Sequence, residues 1–144
     1  MLQKMKAFLK ERDLCVLATC AGGKPHCSLM AYITDEAIET VFMATLRDTQ
    51  KFKNLSDNPQ VSFLVDDRGS EGRTRVETQA LTVSGTFEPM EDPVERGAVL
   101  ARMADKHPHL DGLLKHPEAE VLRIRLESFL LLRGALDAHF EKVR

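Results

Sequence analysis

Residues 41–65 constrain the fold more than any other stretch of this chain. They run Val-Phe-Met-Ala-Thr, then Leu-Arg-Asp-Thr-Gln-Lys-Phe-Lys-Asn-Leu-Ser, then Asp-Asn-Pro-Gln-Val-Ser-Phe-Leu-Val. The pattern predicts a strand, a short loop, an amphipathic helix over 48–56 with Phe52 and Leu55 on one face, an Asn-Pro stop and a second strand over 61–65. Thr45, Thr49 and Lys51 fall where the first strand hands over to the helix N-terminus. Unpaired backbone amides and the helix dipole favour an anion there. Two hydroxyls and one lysine complete what a phosphate requires, so a phosphate-bearing ligand is the expectation. The plainer alternative is a capped helix with one exposed lysine. Asp48 enters both accounts: as an N-cap it would occupy the same amides, and as an acid it would repel a dianion.

The rest of the chain predicts more strands than helices. Leu2, Met5 and Leu9 at helical spacing predict a helix over 2–11. Strands follow over 14–20 and 25–33, joined by the turn Ala21-Gly22-Gly23-Lys24, and a third over 39–45. Residues 66–75 are polar, contain two glycines and read as a mobile loop. A long strand over 76–87 turns Leu81, Val83 and Phe87 one way and small polar residues the other. Asp92-Pro93-Val94-Glu95 predicts a helix start with Asp92 as N-cap, Pro93 at N1 and Glu95 closing a capping box, the helix running to Lys106. Leu122, Ile124 and Leu126 alternate with Arg123 and Arg125 in a last strand over 120–126, followed by an apolar piece over 129–132. The expected architecture is α+β: a six-stranded antiparallel barrel with flanking helices, one domain over 1–144.

Composition removes several function classes. Twenty Lys and Arg stand against 22 Asp and Glu, for a net charge of −2, without the basic excess of a nucleic-acid binder. No apolar run approaches the ~20 residues of a membrane span. The first residues lack the apolar core of a secretory signal, so a cytoplasmic protein is expected. Cys15, Cys20 and Cys27 have no metal or redox spacing and read as small buried hydrophobes. The histidines around Pro108 and Pro117 read as turn residues, and no metal site is expected. Ser28 and His26 share a strand face but have no orienting acid, which argues against a hydrolase.

Taken together, Cys15-Val-Leu-Ala-Thr19, Gly23-Lys-Pro-His-Cys-Ser28, Thr45, Thr49-x-Lys51, Asn54-Leu-x-x-Asn-Pro-x-Val-Ser62 and Leu81-Thr-Val-Ser-Gly-Thr86 resemble the pyridoxamine 5′-phosphate oxidase-like flavoproteins, which have the FMN-binding split β-barrel fold. The resemblance is clearest over residues 14–88. It implies FMN held between the two subunits of a homodimer and an oxidoreductase acting with a small-molecule substrate or electron donor. By position, Thr45, Thr49 and Lys51 would hold the phosphate. Ser28, Leu29 and Met30 would run beside the isoalloxazine ring, and Gln79 would reach the cofactor from the partner subunit. The oxidase's Ser-Arg-Lys is Thr49-Gln50-Lys51 here, and residues 28–32 contain no base. Arg47, Arg73 or Arg75 would have to compensate. The oxidase's C-terminal Arg-and-His segment, which holds the vitamin, has no counterpart, so the resemblance implies FMN binding without vitamin B6 oxidation. A non-catalytic flavin or electron carrier, and a haem- or deazaflavin-binding member of the same fold, are the alternatives; His139 would be the haem-ligand candidate.

Overall fold

A computed structural model of the chain describes residues 1–70, 74 and 77–144. Helix α1 (Leu2–Glu11) leads into β1 (Leu14–Ala21), β2 (Lys24–Ala31), a short β3 (Ile33–Thr34) and β4 (Thr40–Leu46). Helix α2 (Gln50–Asp57) and β5 (Gln60–Asp66) follow. Then come β6 (Gln79–Glu88), α3 (Pro93–Lys106), a 3₁₀ turn (Pro108–Leu110), α4 (Asp111–Leu114), β7 (Ala119–Arg133) and β8 (Asp137–Lys142). The strands form one curled antiparallel sheet in the order β2-β1-β5-β6-β7-β4-β3, with β8 pairing β7. This is the expected split β-barrel, with eight strands among the described residues in place of six.

The differences have physical causes. The apolar pieces at 120–126 and 129–132 are one 15-residue strand, β7, interrupted only by a bulge. Ser84 pairs with Ser128 and Gly85 with Leu126, so Glu127 is the extra residue on the bulged strand. A Cβ on Gly85 would stand 2.5 Å from the Arg125 carbonyl oxygen, so only glycine fits this close approach. The first half of β7 pairs with β4 and its second half with β8. Strand β8 is polar in sequence and was not anticipated; an edge strand needs little hydrophobic pattern, because backbone bonds alone can attach it. The long strand expected over 76–87 begins at Gln79; residue 76 and, from the polar loop, residues 71–73 and 75, which include Arg73 and Arg75, lie outside the described residues.

Local chemistry explains most boundaries. Gly22 and Gly23 both have positive φ, +58° and +74°, as a two-residue turn between Ala21 and Lys24 requires. Asp92 caps α3, its carboxylate accepting from the Val94 amide at 2.9 Å. Glu95 does not close the capping box; it accepts from Arg123 at 2.9 Å instead. The inward residues of β1, β5, β6 and β7 form the main core with Met5 and Leu9 of α1. Strand β4 is covered on both faces. Val41 and Met43 join that core, while Phe42 and Ala44 pack under Val99 and Met103 of α3 and Leu114 of α4. Double coverage fixes β4 rigidly, and β4 carries Thr45 to the edge of the site.

Candidate functional site

The strand-to-helix handover builds one end of a cavity of about 280 Å³. Thr45, Leu46, Thr49 and Lys51 form one wall, Leu29, Met30 and Ala31 of β2 another, and Leu110 and Leu113 a third. Five of the seven expected site residues, Leu29, Met30, Thr45, Thr49 and Lys51, therefore line a single cavity. Ser28 precedes them on β2, on the same face as Met30 and opposite Leu17 of β1. Gln79 does not join them: it pairs with Arg133, whereas Thr45 pairs with Glu120 at the other end of β7. Within one chain Gln79 is remote from the cavity.

Hydrogen bonding at the handover is directional. Thr49, not Asp48, is the N-cap of α2: its hydroxyl accepts from the Phe52 amide at 3.3 Å and donates to the Leu46 carbonyl at 2.9 Å. Its one proton is thereby used, so the buried Thr45 hydroxyl, 3.1 Å away, is the donor between the two. The hydroxyl pair thus ties strand to helix. The amides of Gln50 and Lys51 in the first turn lack intrahelical partners, as helix geometry dictates. Lys51 is half-buried, and no carboxylate among the described residues pairs with it.

Two further expectations are corrected. Asp48 does not cap the helix; it is exposed and pairs with Lys53 at 3.0 Å. Arg47 is not free to support a phosphate, since it pairs with Glu118 at 2.9 Å and Glu120 at 2.8 Å. The bond to Glu120 and the charge of Glu118 hold its guanidinium pKa above the usual value.

Sequence reasoning missed Leu110 and Leu113. They sit in a segment that shows only two apolar residues three apart after a His-Pro-His break, too short a pattern to signal a wall. It also took His107 for a surface turn residue. His107 is 2 % exposed, and its Nε2 lies 2.9 Å from the Tyr32 carbonyl oxygen, pinning the α3–α4 corner against the β2–β3 junction. The cysteines divide: Cys15 is buried, Cys20 half-buried and Cys27 exposed. Burial pushes the Cys15 thiol up to about 12. No cluster of His, Cys, Asp and Glu that could hold a metal occurs among the described residues, nor does a helix long and apolar enough to cross a membrane.

Comparison with known proteins places this geometry in context. The model of the pyridoxamine 5′-phosphate oxidase family matches residues 1–132. No curated protein matches the chain. Among solved structures, the chain is similar to a heme binding protein from Mycobacterium smegmatis, with 16% identity and a TM-score of 0.84 over 99% of this chain and 57% of that one. It is also similar to HutZ, the heme storage protein from Vibrio cholerae, with 25% identity and a TM-score of 0.73 over 87% of this chain and 89% of that one. A FAD-binding protein from Mesorhizobium loti matches with 20% identity and a TM-score of 0.72 over 90% of this chain and 91% of that one.

Proposed function

Because the chain belongs to the pyridoxamine 5′-phosphate oxidase family, we propose that it is an FMN-binding flavoprotein, an oxidoreductase that is not a vitamin B6 oxidase, with its cofactor at the interface of a homodimer. The observation that carries this reading is Lys51: a half-buried residue whose ammonium has no carboxylate partner among the described residues, in the first turn of α2 and lining a cavity shared with Thr45 and Thr49. Such a donor set suits a phosphate. Lys51 and the amides of Gln50 and Lys51 would hold it, with the threonines fixing the turn that presents them. Strand β2 ends the sheet order, so half its backbone groups at Ser28, Leu29 and Met30 face away from the ladder and can meet a flat ring. A bound flavin supplies the hydride and electron transfer; the chain supplies orientation and electrostatics.

Exposed apolar surface supports the dimer. Cross-strand register aligns Leu29, Val16, Leu64, Thr82, Leu130 and Phe140 in one row across the outer face of the sheet. Leu29 is 72% and Phe140 59% exposed. A second copy over this face would cover the row, enclose the ring beside β2 and bring a remote Gln79 toward a cavity. The test is the visible spectrum of the purified protein on a sizing column, with and without added FMN. Flavin bands co-eluting with a dimer are expected; a monomer that takes up no FMN would sink the proposal. Haem is the second reading, favoured by two similar structures that carry heme in their names. A Soret band on haem addition that is lost in His139→Ala would replace FMN by haem.

A further inference from the structure

Two walls of the candidate flavin cavity come from segments far apart in sequence. Leu29, Met30 and Ala31 belong to β2, while Leu110 and Leu113 belong to the corner that follows α3. The distance between these walls decides what can lie between them. Leu110 and Leu113 pack in the smaller core with Phe42 and Met103. Apolar contact of that kind is non-directional and does not by itself set the height of the corner over β2.

One directional contact does. Among the described residues, the backbone amides of the corner bond only within their own segment: His107 donates to the Met103 carbonyl, Leu110 to His107, Asp111 to Pro108 and Lys115 to Asp111. The bond that leaves the segment is made by a side chain. His107 Nε2 lies 2.9 Å from the Tyr32 carbonyl oxygen, and both residues are buried. A carbonyl oxygen only accepts, so this bond requires the proton on Nε2. Each end of the link is itself held. Tyr32 directly follows Ala31; its amide donates to the Asp13 carbonyl at 3.0 Å and its hydroxyl to the Leu9 carbonyl at 2.6 Å. The His107 carbonyl accepts from the Leu110 amide at 2.9 Å. The bond therefore joins a fixed point one residue beyond the β2 wall to a fixed point one short turn before the Leu110 wall. Helix α3 is tied down separately, Arg102 donating to the Thr34 carbonyl at 2.6 Å and Arg96 to the Ala119 carbonyl.

We propose that His107 is a positioning residue for this cavity: its bond to the Tyr32 carbonyl holds Leu110 and Leu113 at a fixed height over β2, so that the apolar part of a ligand is clasped between the two walls while its phosphate meets Lys51. The clasp rests on the flavin reading for the identity of the ligand; the link between corner and strand stands without it.

The test pairs amide hydrogen exchange of the protein as purified with FMN titration, in wild type, His107→Gln and His107→Leu. A glutamine carboxamide reaches about as far as Nε2 and still donates, whereas leucine cannot. Exchange over residues 107–116 should accelerate in His107→Leu with α3 (Pro93–Lys106) unchanged. FMN binding should weaken about tenfold in the same variant. His107→Gln should restore both. Should His107→Leu not fold, His107→Asn takes its place, a polar side chain one carbon too short to reach Tyr32. Corner exchange that accelerates in His107→Leu and recovers in His107→Gln, in a protein that takes up no FMN, keeps the positioning of the wall and ends the flavin reading. Unchanged FMN affinity beside a loosened corner overturns the clasp. Equal losses in the Gln and Leu variants, or exchange that rises evenly along the whole chain, overturn the role of the bond itself.

Discussion

At the scale of single residues, chemistry divides between groups already engaged and groups left over. Thr45 and Thr49 are engaged with each other and with the chain, whereas Lys51 is left over. Replacing Lys51 with Ala should raise the FMN dissociation constant about tenfold or more, as expected for a hydrogen bond to a charged group, and leave the melting temperature nearly unchanged. Unchanged flavin affinity would remove Lys51 from the site. Cys15 makes a second residue-scale case. Burial pushes its thiol from the ordinary 9.0 up to about 12. Burial raises the Tyr32 hydroxyl too, and that hydroxyl donates to the Leu9 carbonyl at 2.6 Å. In both cases the native state retains a proton that the unfolded chain loses as pH rises. Their contribution is therefore complete below pH 9 and is lost as pH climbs toward 12. Urea midpoints should hold steady up to pH 9 and fall above it; midpoints constant to pH 11 would refute this. At pH 8, a thiol reagent should label Cys27 and leave Cys15 untouched in the native state. Residue types were legible in the sequence at this scale, but partners were not: nothing in the spacing showed that Arg47 would be taken by Glu118 and Glu120, or Asp48 by Lys53.

At the scale of elements, the sequence was readable wherever a local rule governs. The α3 boundaries, Pro93 to Lys106, follow from an N-cap and a proline at N1, both local. The start of α2 was misplaced by two residues because Asp48 and Thr49 are both good caps, and the choice between them depends on Leu46 and Thr45, which only the folded turn brings near. Thr49→Ala should cost about 1 kcal/mol of stability through the lost cap. It should also weaken FMN binding, because the turn that presents the amides loosens; denaturation and flavin titration would check the two effects. Strand β7 was read as two pieces because Glu127 and Ser128 interrupt its alternation. The bulge that absorbs the interruption depends on Gly85, about 140 Å away along the chain in extended form. Gly85→Ala should cost about 1–3 kcal/mol, since the new methyl group meets the Arg125 backbone first and the Ile124 side chain next. A chemical-denaturation midpoint equal to wild type would show that the bulge can relax.

At the scale of the whole molecule, the unresolved demand is the outer face of the sheet. Inner and outer rows were separable in sequence by alternation alone: Leu81, Val83 and Phe87 are buried as expected, and Thr82, Ser84 and Thr86 lie on the other face. Continuity of the outer row from Leu29 to Phe140 was not visible, because it runs through five strand pairings and ends on the unanticipated β8. Phe140→Asp should convert the proposed dimer to a monomer on a sizing column and lower FMN affinity with it. A dimer that persists would move the interface elsewhere. The division between sequence and structure follows from the range of the forces involved. Strand and helix periodicity, turns, caps and the strand–loop–helix handover depend on neighbours a few residues apart, so the chain alone determined most of the elements, the fold class and the placement of Thr45, Thr49 and Lys51 at a helix start. Gathering Leu29, Met30, Leu110 and Leu113 around them, engaging Arg47 and burying His107 depend on contacts between residues tens of positions apart. Only the tertiary structure decided those, because such contacts exist only after strand register has been set by the packing of the whole core.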